Sequence, residues 1–311
     1  MNEHRAEVHA APRNLPGLAD PGPEGFTMER LGGLTNRVFR VEAPGLAGAV
    51  IVRIPGAGTE DYIDREVELH NAREAAAAGV SAEVLWADAA SGVMITRAIP
   101  GIVTMTPALF RSRPGAPARA GEAFARLHNS GREFRFRFEL FSMIDDYLKV
   151  LAGREVALPE GYHEVVAAAA PVREALAASP APLAPCHCDP LCENFLDDGS
   201  RMWIVDWEYS GMNDPLWDLG DLAVEGGFDE VQEREMLTAY FGRSPSAAEA
   251  GRVVIYKAMC DLLWTLWGLI QLADGNPAED FEAYAATRFA RCRALMEGPD
   301  FAGHVAAVRA G

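Results

Sequence analysis

The chain has 311 residues, a formal net charge of −17 and five cysteines. This length is sufficient for two lobes with a substantial buried core. The acidic charge argues against nucleic acid or an anionic membrane as the main partner, because both bind basic surfaces, and it favours a small cationic partner. An odd number of cysteines in a long chain is unlike a secreted disulfide framework, so we predict a reducing, cytoplasmic location.

The first part of the chain predicts a short flexible segment followed by a sheet with one helix. Residues 1–25 carry four prolines and three glycines and lack a continuous apolar region, so we predict a flexible segment without a signal peptide. Alternating segments at 26–31, 38–42 and 49–54, separated by Gly and Pro turns, predict an antiparallel meander. A helix follows over 59–78, with Thr59 as its N-cap and Gly79 just past its end. Strands at 83–88 and 93–99 complete an N-terminal lobe over residues 26–99.

Beyond a break at Pro100 and Gly101, residues 100–311 predict a larger, mainly helical C-terminal lobe. Within it we predict a loop at 186–194, a strand at 202–206, and helices at 118–129, 141–151, 162–178, 230–241, 247–273 and 280–296. The apolar stretch 253–273 contains Lys257, Asp261 and Gln271, so it predicts a buried helix and no membrane insertion. The predicted fold class is α+β with two lobes.

The segment from Cys186 to Asp206 carries the strongest chemical signal. His187, Asp189 and Asn194 form an H-x-D-x-x-x-x-N pattern, and an apolar strand then leads directly into Asp206. Phosphoryl transfer needs a carboxylate near the acceptor hydroxyl, and an amide and a second carboxylate as oxygen ligands for Mg²⁺. We therefore predict a small-molecule kinase in which His187 braces the loop.

Zinc is a weaker interpretation of the same loop. Its three cysteines follow a C-x-C-x-x-x-C spacing that fits no usual zinc ligand pair. We expect them to pack as small apolar residues.

Two features of the N-terminal lobe fit nucleotide binding. Gly32, Gly33, Thr35 and Asn36 lie between predicted strands, where a glycine-rich backbone can approach phosphate oxygens, although a plain hairpin turn has the same composition.

A strand cation and a helix carboxylate form the second feature. Arg53 ends the third strand, and Glu68 or Glu66 in the following helix can pair with it to hold the phosphates. Only one glutamate can face Arg53, because residues two apart on a helix point in different directions. A solvated surface ion pair is the alternative.

Aromatic residues and carboxylates suggest a site for a cationic acceptor. Trp264 and Trp267 are three apart on a predicted helix and share a face. Glu208 and Tyr209 follow Asp206, and Glu225 lies shortly downstream. Aromatic faces with a carboxylate are suited to a quaternary ammonium group, whereas core packing is the alternative role of the tryptophans.

These segments resemble the choline and ethanolamine kinases, which belong with the aminoglycoside phosphotransferases in the protein-kinase-like fold. The similar segments are G-G-L-T-N (32–36), V-R-I-P-G-A-G-T-E (52–60), I-D-R-E-V-E-L-H-N (63–71), C-H-C-D-P-L-C-E-N (186–194), V-D-W-E-Y-S-G-M-N-D-P-L-W-D-L (205–219) and W-T-L-W-G-L-I-Q (264–271). Cys188 stands where Asn is common in this family, and we expect that exchange to be tolerated.

The resemblance implies ATP and Mg²⁺ as cofactors and assigns roles to the site residues. It implies Asp189 as catalytic base, Asn194 and Asp206 as metal ligands, and Arg53 with Glu68 as the phosphate-binding pair. It implies adenine at the backbone near Arg97 and Ile99. The choline cage would comprise Tyr209, Trp264 and Trp267, with Glu225 and Glu208 as its anionic complement.

Our sequence hypothesis is an ATP- and Mg²⁺-dependent choline kinase. Ethanolamine, whose ammonium carries N–H donors, is the nearest alternative acceptor, followed by an aminoglycoside or another amino-alcohol. A non-catalytic nucleotide- or choline-binding pseudokinase is the alternative of a different class. The sequence leaves open whether the protein is a monomer or a homodimer.

Overall fold

A five-stranded antiparallel sheet forms the N-terminal part of the fold in the computed structural model, which describes residues 5–11, 25–32, 36–56 and 63–311. The strand order is β1-β2-β3-β5-β4. The strands are β1 Thr27–Arg30, β2 Asn36–Glu42, β3 Val50–Pro55, β4 Val84–Asp88 and β5 Val93–Arg97. Side chains alternate between faces along β3, so Val50, Val52 and Ile54 are buried in the sheet core while Arg53 faces the opposite side.

A short helix, α1 Arg5–Ala10, packs against this sheet. Val8 is fully buried in the same apolar cluster as Phe26, and the Arg5 guanidinium lies 4.4 Å from the centre of the Phe26 ring. This stretch lies in the segment that we predicted as flexible. The structure instead gives it a helix, because one apolar face is buried on the sheet.

The helix α2 Arg65–Ala77 follows β3 and carries the carboxylate that faces Arg53. The Asp64 side chain caps it by accepting hydrogen bonds from the amides of Glu66 and Val67. The predicted cap, Thr59, lies outside the described residues.

The C-terminal part is mainly helical and has two small antiparallel sheets. Strand β7 Ala184–Cys186 pairs with β10 Gly211–Asn213, and β8 Phe195–Asp197 lies between β6 Val103–Thr104 and β9 Met202–Ile204. The helices are α3 Pro107–Ser112, α4 Ala116–His128, α5 Leu140–Leu151, α6 Tyr162–Ala168, α7 Ala170–Ala178, α8 Leu216–Glu225, α9 Glu230–Phe241, α10 Ala247–Ala273, α11 Phe281–Met296 and α12 Phe301–Ala310. The predicted α+β architecture, a sheet with a helix followed by a mainly helical lobe, is confirmed.

The long helix α10 is the centre of the C-terminal core. Helices α5, α8, α11 and α12 all pack against it. Its length and composition would allow it to cross a membrane, but 83% of its most apolar 18-residue window is buried inside the protein. We therefore describe it as a core helix.

One predicted helix is divided in the structure, and helices α3, α8 and α12 were not predicted. The single helix predicted over 162–178 is divided at Ala169 into α6 and α7. Pro171 explains the break, because proline lacks an N–H and its ring clashes with the preceding helical turn. Helix α8 was not predicted at all, although it carries three acidic residues of the site, Asp218, Asp221 and Glu225.

Candidate active site

Arg53 and Glu68 form a buried, two-pronged ion pair between β3 and α2. Arg53 Nη1 and Nη2 donate to the two carboxylate oxygens of Glu68, the second at 2.9 Å. Burial alone would lower the pKa of Arg53, but the charges of Glu68 and Asp206 raise it above its ordinary value. Burial alone would raise the pKa of Glu68, but Arg53 and Arg65 lower it. Glu66 is exposed, so Glu68 is the partner of Arg53 and the pair is not a solvated surface contact.

Glu208 joins this group. Its Oε2 accepts hydrogen bonds from Asn36 Nδ2 at 3.1 Å and Arg65 Nη1 at 3.3 Å. The charge of Glu208 also acts on Asp189. Its role as an anionic complement of the acceptor cation stays a prediction.

The glycine-rich segment is only partly described. A Cβ at Gly32 would meet no atom within 4 Å, so this position is open. Asn36 is buried and contacts Glu208, whereas Gly33 and Thr35 lie outside the described residues.

The loop after β7 is held by His187 in one defined tautomer. The Asp189 amide donates to His187 Nδ1 at 3.3 Å, so Nδ1 is an acceptor and Nε2 carries the proton that is donated to the Val205 carbonyl at 2.9 Å. Burial lowers the pKa of His187. His187 is therefore a neutral brace that links the loop to the residue before Asp206.

Asp218 on α8 holds the same loop from the other side, and sequence reasoning missed it. Its two oxygens accept from the amides of His187 and Cys188 at 2.7 and 2.8 Å, and His128 Nε2 lies 3.0 Å from Oδ2. Cys188 has a left-handed φ of 69°, which is uncommon for a residue other than Gly, Asn or Asp. These contacts fix the backbone immediately before Asp189.

The loop cysteines are buried thiols. Burial raises the pKa of Cys186, Cys188 and Cys192, which disfavours the thiolate form that binds metals. Cys186 does lie in a compact group with His128 and Asp218. Since Asp218 already accepts the loop amides, packing remains our interpretation of these cysteines.

Asp189 lies in a strongly acidic environment. Burial, then the charges of Glu225 and Glu208, raise the pKa of its carboxyl to about 7. Asn194 Nδ2 donates to the Asp189 carbonyl at 3.1 Å, so the Asn194 amide is oriented by the same loop. A carboxyl that titrates near neutral pH is suited to accept a proton from a hydroxyl.

Asp206 provides the best candidate position for a divalent cation. It has a φ of 68°, and its Oδ1 is buried without a hydrogen-bond partner among the described residues. Arg53 Nη1 lies 3.7 Å from that oxygen. Burial, then Glu208, Glu68 and Asp189, raise the pKa of Asp206. Oxygens of Glu68, Asp206 and Glu208 lie within 4.8 Å of one another, which fits the oxygen-rich surroundings that Mg²⁺ prefers.

The predicted aromatic residues do come together. The rings of Tyr209 and Trp264 are 5.5 Å apart and nearly perpendicular, and those of Trp264 and Trp267 are 6.5 Å apart. Trp267 Nε1 donates to the Tyr209 hydroxyl at 2.9 Å. Tyr284 on α11, which sequence reasoning missed, has its ring centre 5.7 Å from that of Trp267. A Cβ at Gly268 would lie 2.6 Å from the Tyr284 ring, so glycine is needed for this approach.

Glu225 lies beside this aromatic cluster but is paired with an arginine. Arg288 Nη2 lies 2.5 Å from Glu225 Oε1, and the Arg288 guanidinium is 4.4 Å from the centre of the Tyr284 ring. Arg288 is also 3.3 Å from Asp261 Oδ1. Sequence reasoning missed Arg288, because its partners Glu225, Asp261 and Tyr284 come from three different helices.

Arg97 and Ile99 lie where the two parts of the chain meet. Both line a cavity of about 590 Å³ together with the end of α2 and Trp203 of β9. The amides of Arg97 and Ala98 donate to the carbonyls of Glu83 and Ala49 at 2.9 and 3.1 Å. The Arg97 side chain pairs with Glu83. These two amides are therefore already engaged, which leaves the Ile99 amide as the better candidate donor to a base.

Comparison with known proteins agrees with this geometry. The sequence profile of the phosphotransferase enzyme family (APH) matches residues 27–250. The chain is 63% identical to a choline/ethanolamine kinase family protein from Mesorhizobium loti whose crystal structure superposes with a TM-score of 0.88, over 98% of this chain and 99% of that one. The chain belongs to the phosphotransferase enzyme family, in its choline/ethanolamine kinase group. It is a small-molecule kinase, as predicted.

More distant family members carry different acceptor names. The crystal structure of choline kinase LicA from Streptococcus pneumoniae is 27% identical, with a TM-score of 0.77 over 94% of this chain and 98% of that one. Ethanolamine kinase 2 from Mus musculus is 25% identical, over 83% of this chain and 72% of that protein. These relatives therefore differ in the acceptor that their names carry.

Proposed function

We propose that this enzyme transfers the γ-phosphoryl group of ATP, with Mg²⁺, to the hydroxyl of choline, giving phosphocholine and ADP. The observation that carries the proposal is the convergence of Tyr209, Trp264, Trp267 and Tyr284 beside a buried carboxylate, with the charge of Glu225 acting on Asp189. Perpendicular aromatic rings present faces and edges that surround a quaternary ammonium group, which has no N–H to donate.

The reaction itself requires mainly positioning and charge neutralisation. The choline oxygen forms a bond to the γ-phosphorus while the bond from that phosphorus to the bridging oxygen of ADP breaks. Asp189 accepts the hydroxyl proton, and the brace through His187 and Asp218 keeps its carboxylate in place. Arg53, aligned by Glu68, contacts the phosphates.

The metal part of the proposal rests on Asn194 and Asp206. Asn194 offers an amide oxygen and Asp206 a carboxylate oxygen without a hydrogen-bond partner among the described residues. A bound Mg²⁺ would supply positive charge against the phosphate oxygens. Oxygens of Glu68 and Glu208 lie within 4.8 Å of the Asp206 carboxylate and would add negative charge beside the metal.

Location and base recognition are further parts of the proposal. We place the adenine at the lobe junction with the Ile99 amide as its donor. The five cysteines are free thiols, which suits a reducing compartment, so we place the enzyme in the cytoplasm.

Ethanolamine is the second candidate acceptor, and a specific observation favours it. One oxygen of Asp221, Oδ1, is buried without a hydrogen-bond partner among the described residues, whereas Glu225 is paired with Arg288. A primary ammonium could donate to the Asp221 oxygen, whereas choline could not. Four aromatic rings weigh more heavily towards choline, since each desolvated cation–π contact contributes about 0.5–2 kcal/mol.

An acceptor screen tests the proposal. Purified enzyme with ATP and Mg²⁺ is assayed for ADP release with choline, ethanolamine and an aminoglycoside in parallel. We expect the highest kcat/KM with choline. A higher kcat/KM with ethanolamine would identify ethanolamine, in place of choline, as the acceptor. An absence of ADP release with all three acceptors would reject the kinase proposal.

A further inference from the structure

Asp221 is a buried carboxylate of α8 to which the mechanism above gives no role. It is 1% exposed and lies one helical turn before Glu225. Its Oδ2 accepts a hydrogen bond from Trp264 Nε1 at 3.1 Å. Its Oδ1 is buried and has no hydrogen-bond partner among the described residues. A buried carboxylate oxygen left unpaired is unfavourable, so its presence requires a reason.

The charges around Asp221 do not balance. Arg291 is paired with Asp261 through two contacts of 2.6 Å, and Arg288 lies against Glu225. Asp221 and Asp189 therefore remain without a cation of their own among the described residues. The titratable groups whose charges act with Asp221 are Glu225, Asp189, Arg288, Tyr284, Cys188 and Cys260. Arg288 is the cation among them.

This local excess of negative charge is large enough to affect the carboxyl itself. Burial, then the charges of Glu225 and Asp189, raise the pKa of Asp221 well above its usual range. Tyr284 and the two thiols stay neutral, because burial raises their pKa as well. A cation brought in by a substrate would relieve this repulsion and favour the ionised form of Asp221, so that the carboxylate carries its charge when the acceptor is bound.

We propose that Asp221 is a specificity-determining residue that recognises the positive charge of the acceptor, together with Glu225 on the same face of α8. It contributes charge and does not need a hydrogen bond from the acceptor. It also acts through Trp264: an indole N–H that donates to a carboxylate is polarised, which makes the ring face more negative and a better surface for a cation. This inference rests on the proposed function, because it concerns the same acceptor site.

The test compares choline with its uncharged isostere 3,3-dimethylbutan-1-ol, in the wild type and in Asp221→Asn. Asparagine keeps the shape of the side chain and an oxygen for Trp264 Nε1, but removes the charge. We expect kcat/KM for choline to fall about tenfold or more, with a change of less than about twofold for the isostere and for the KM of ATP. An equal loss for both acceptors would show a structural role and overturn the inference, as would unchanged kinetics with choline.

Two further outcomes are informative. If Asp221→Asn does not fold, Asp221→Ser, which is smaller and keeps a hydroxyl, gives the same comparison between charged and neutral acceptors. If the wild type is inactive with every amino-alcohol, the proposed function fails and the inference fails with it. If the wild type is active and both variants still favour choline over the isostere as strongly as the wild type does, the inference alone is overturned.

Discussion

Replacement of Asp218 by asparagine tests the claim that α8 holds the catalytic loop in place. Asp218 accepts from the amides of His187 and Cys188 at 2.7 and 2.8 Å. Asparagine retains one acceptor oxygen and turns its NH₂ group towards the other amide. One hydrogen bond to a charged group is lost, about 1.5–3 kcal/mol, and a buried N–H is left unpaired, about 1–3 kcal/mol.

The expected loss is therefore roughly 2.5–6 kcal/mol in the free energy of unfolding, which lowers Tm by about 5–15 °C for a protein of this size. Thermal unfolding followed by circular dichroism measures the change in Tm. Steady-state kinetics should show a lower kcat with a smaller change in the KM of ATP, because the backbone before Asp189 is released. The matched control is Asp146→Asn, an exposed carboxylate whose partner is Lys149 at 2.8 Å, with an expected change within about 0.5 kcal/mol. A Tm for Asp218→Asn equal to that of the control would refute this reasoning.

Three further outcomes are expected. Gly220→Ala should destabilise the protein by about 1–3 kcal/mol, because a Cβ there would lie 2.8 Å from Tyr256 Cβ and 2.9 Å from the Val253 carbonyl. The control Gly303→Ala, where a Cβ would meet no atom within 4 Å, should be neutral or slightly stabilising. Equal denaturant midpoints for the two variants would contradict this packing. As the proposed base, Asp189 must be ionised to accept a proton, and the pKa of its carboxyl is raised to about 7. The value of kcat/KM should therefore fall as pH decreases through about 7. A pH profile of kcat/KM that is flat down to pH 5.5 would argue against Asp189 as the base. Trp267→Leu should raise the KM of choline by about 2–30-fold and leave that of ATP nearly unchanged, and a parallel rise in both KM values would instead indicate lost core packing.

The fold was predictable where periodicity is strong. Alternation of apolar and polar residues predicted β3, and the kinase-like order of a strand cation and a helix carboxylate predicted the pairing of Arg53 with a helix glutamate. The sequence could not choose between Glu66 and Glu68, because that choice depends on the exact rotation of α2 against the sheet.

Helix α8 shows where sequence reasoning fails. Nine of its ten residues are buried, so it lacks a polar face and the helical period that such a face produces. It also contains Gly220 and two aspartates, which are weak helix formers. Tertiary packing against α10 overrides these preferences. Consequently the roles of Asp218 and Asp221 became visible only from contacts with other elements.

The aromatic cluster illustrates the same limit within the site. Trp264 and Trp267 could be paired from their spacing on one helix, but Tyr284 and Arg288 lie on α11 and reach the cluster through tertiary packing.

Phosphorus NMR of the complete reaction tests the central claim most directly. The wild type with ATP, Mg²⁺ and choline should give phosphocholine and ADP in equal amounts, and Asp189→Asn should form phosphocholine about 10²–10⁴-fold more slowly. ADP and inorganic phosphate without phosphocholine, or phosphocholine formed by Asp189→Asn at the wild-type rate, would contradict the account.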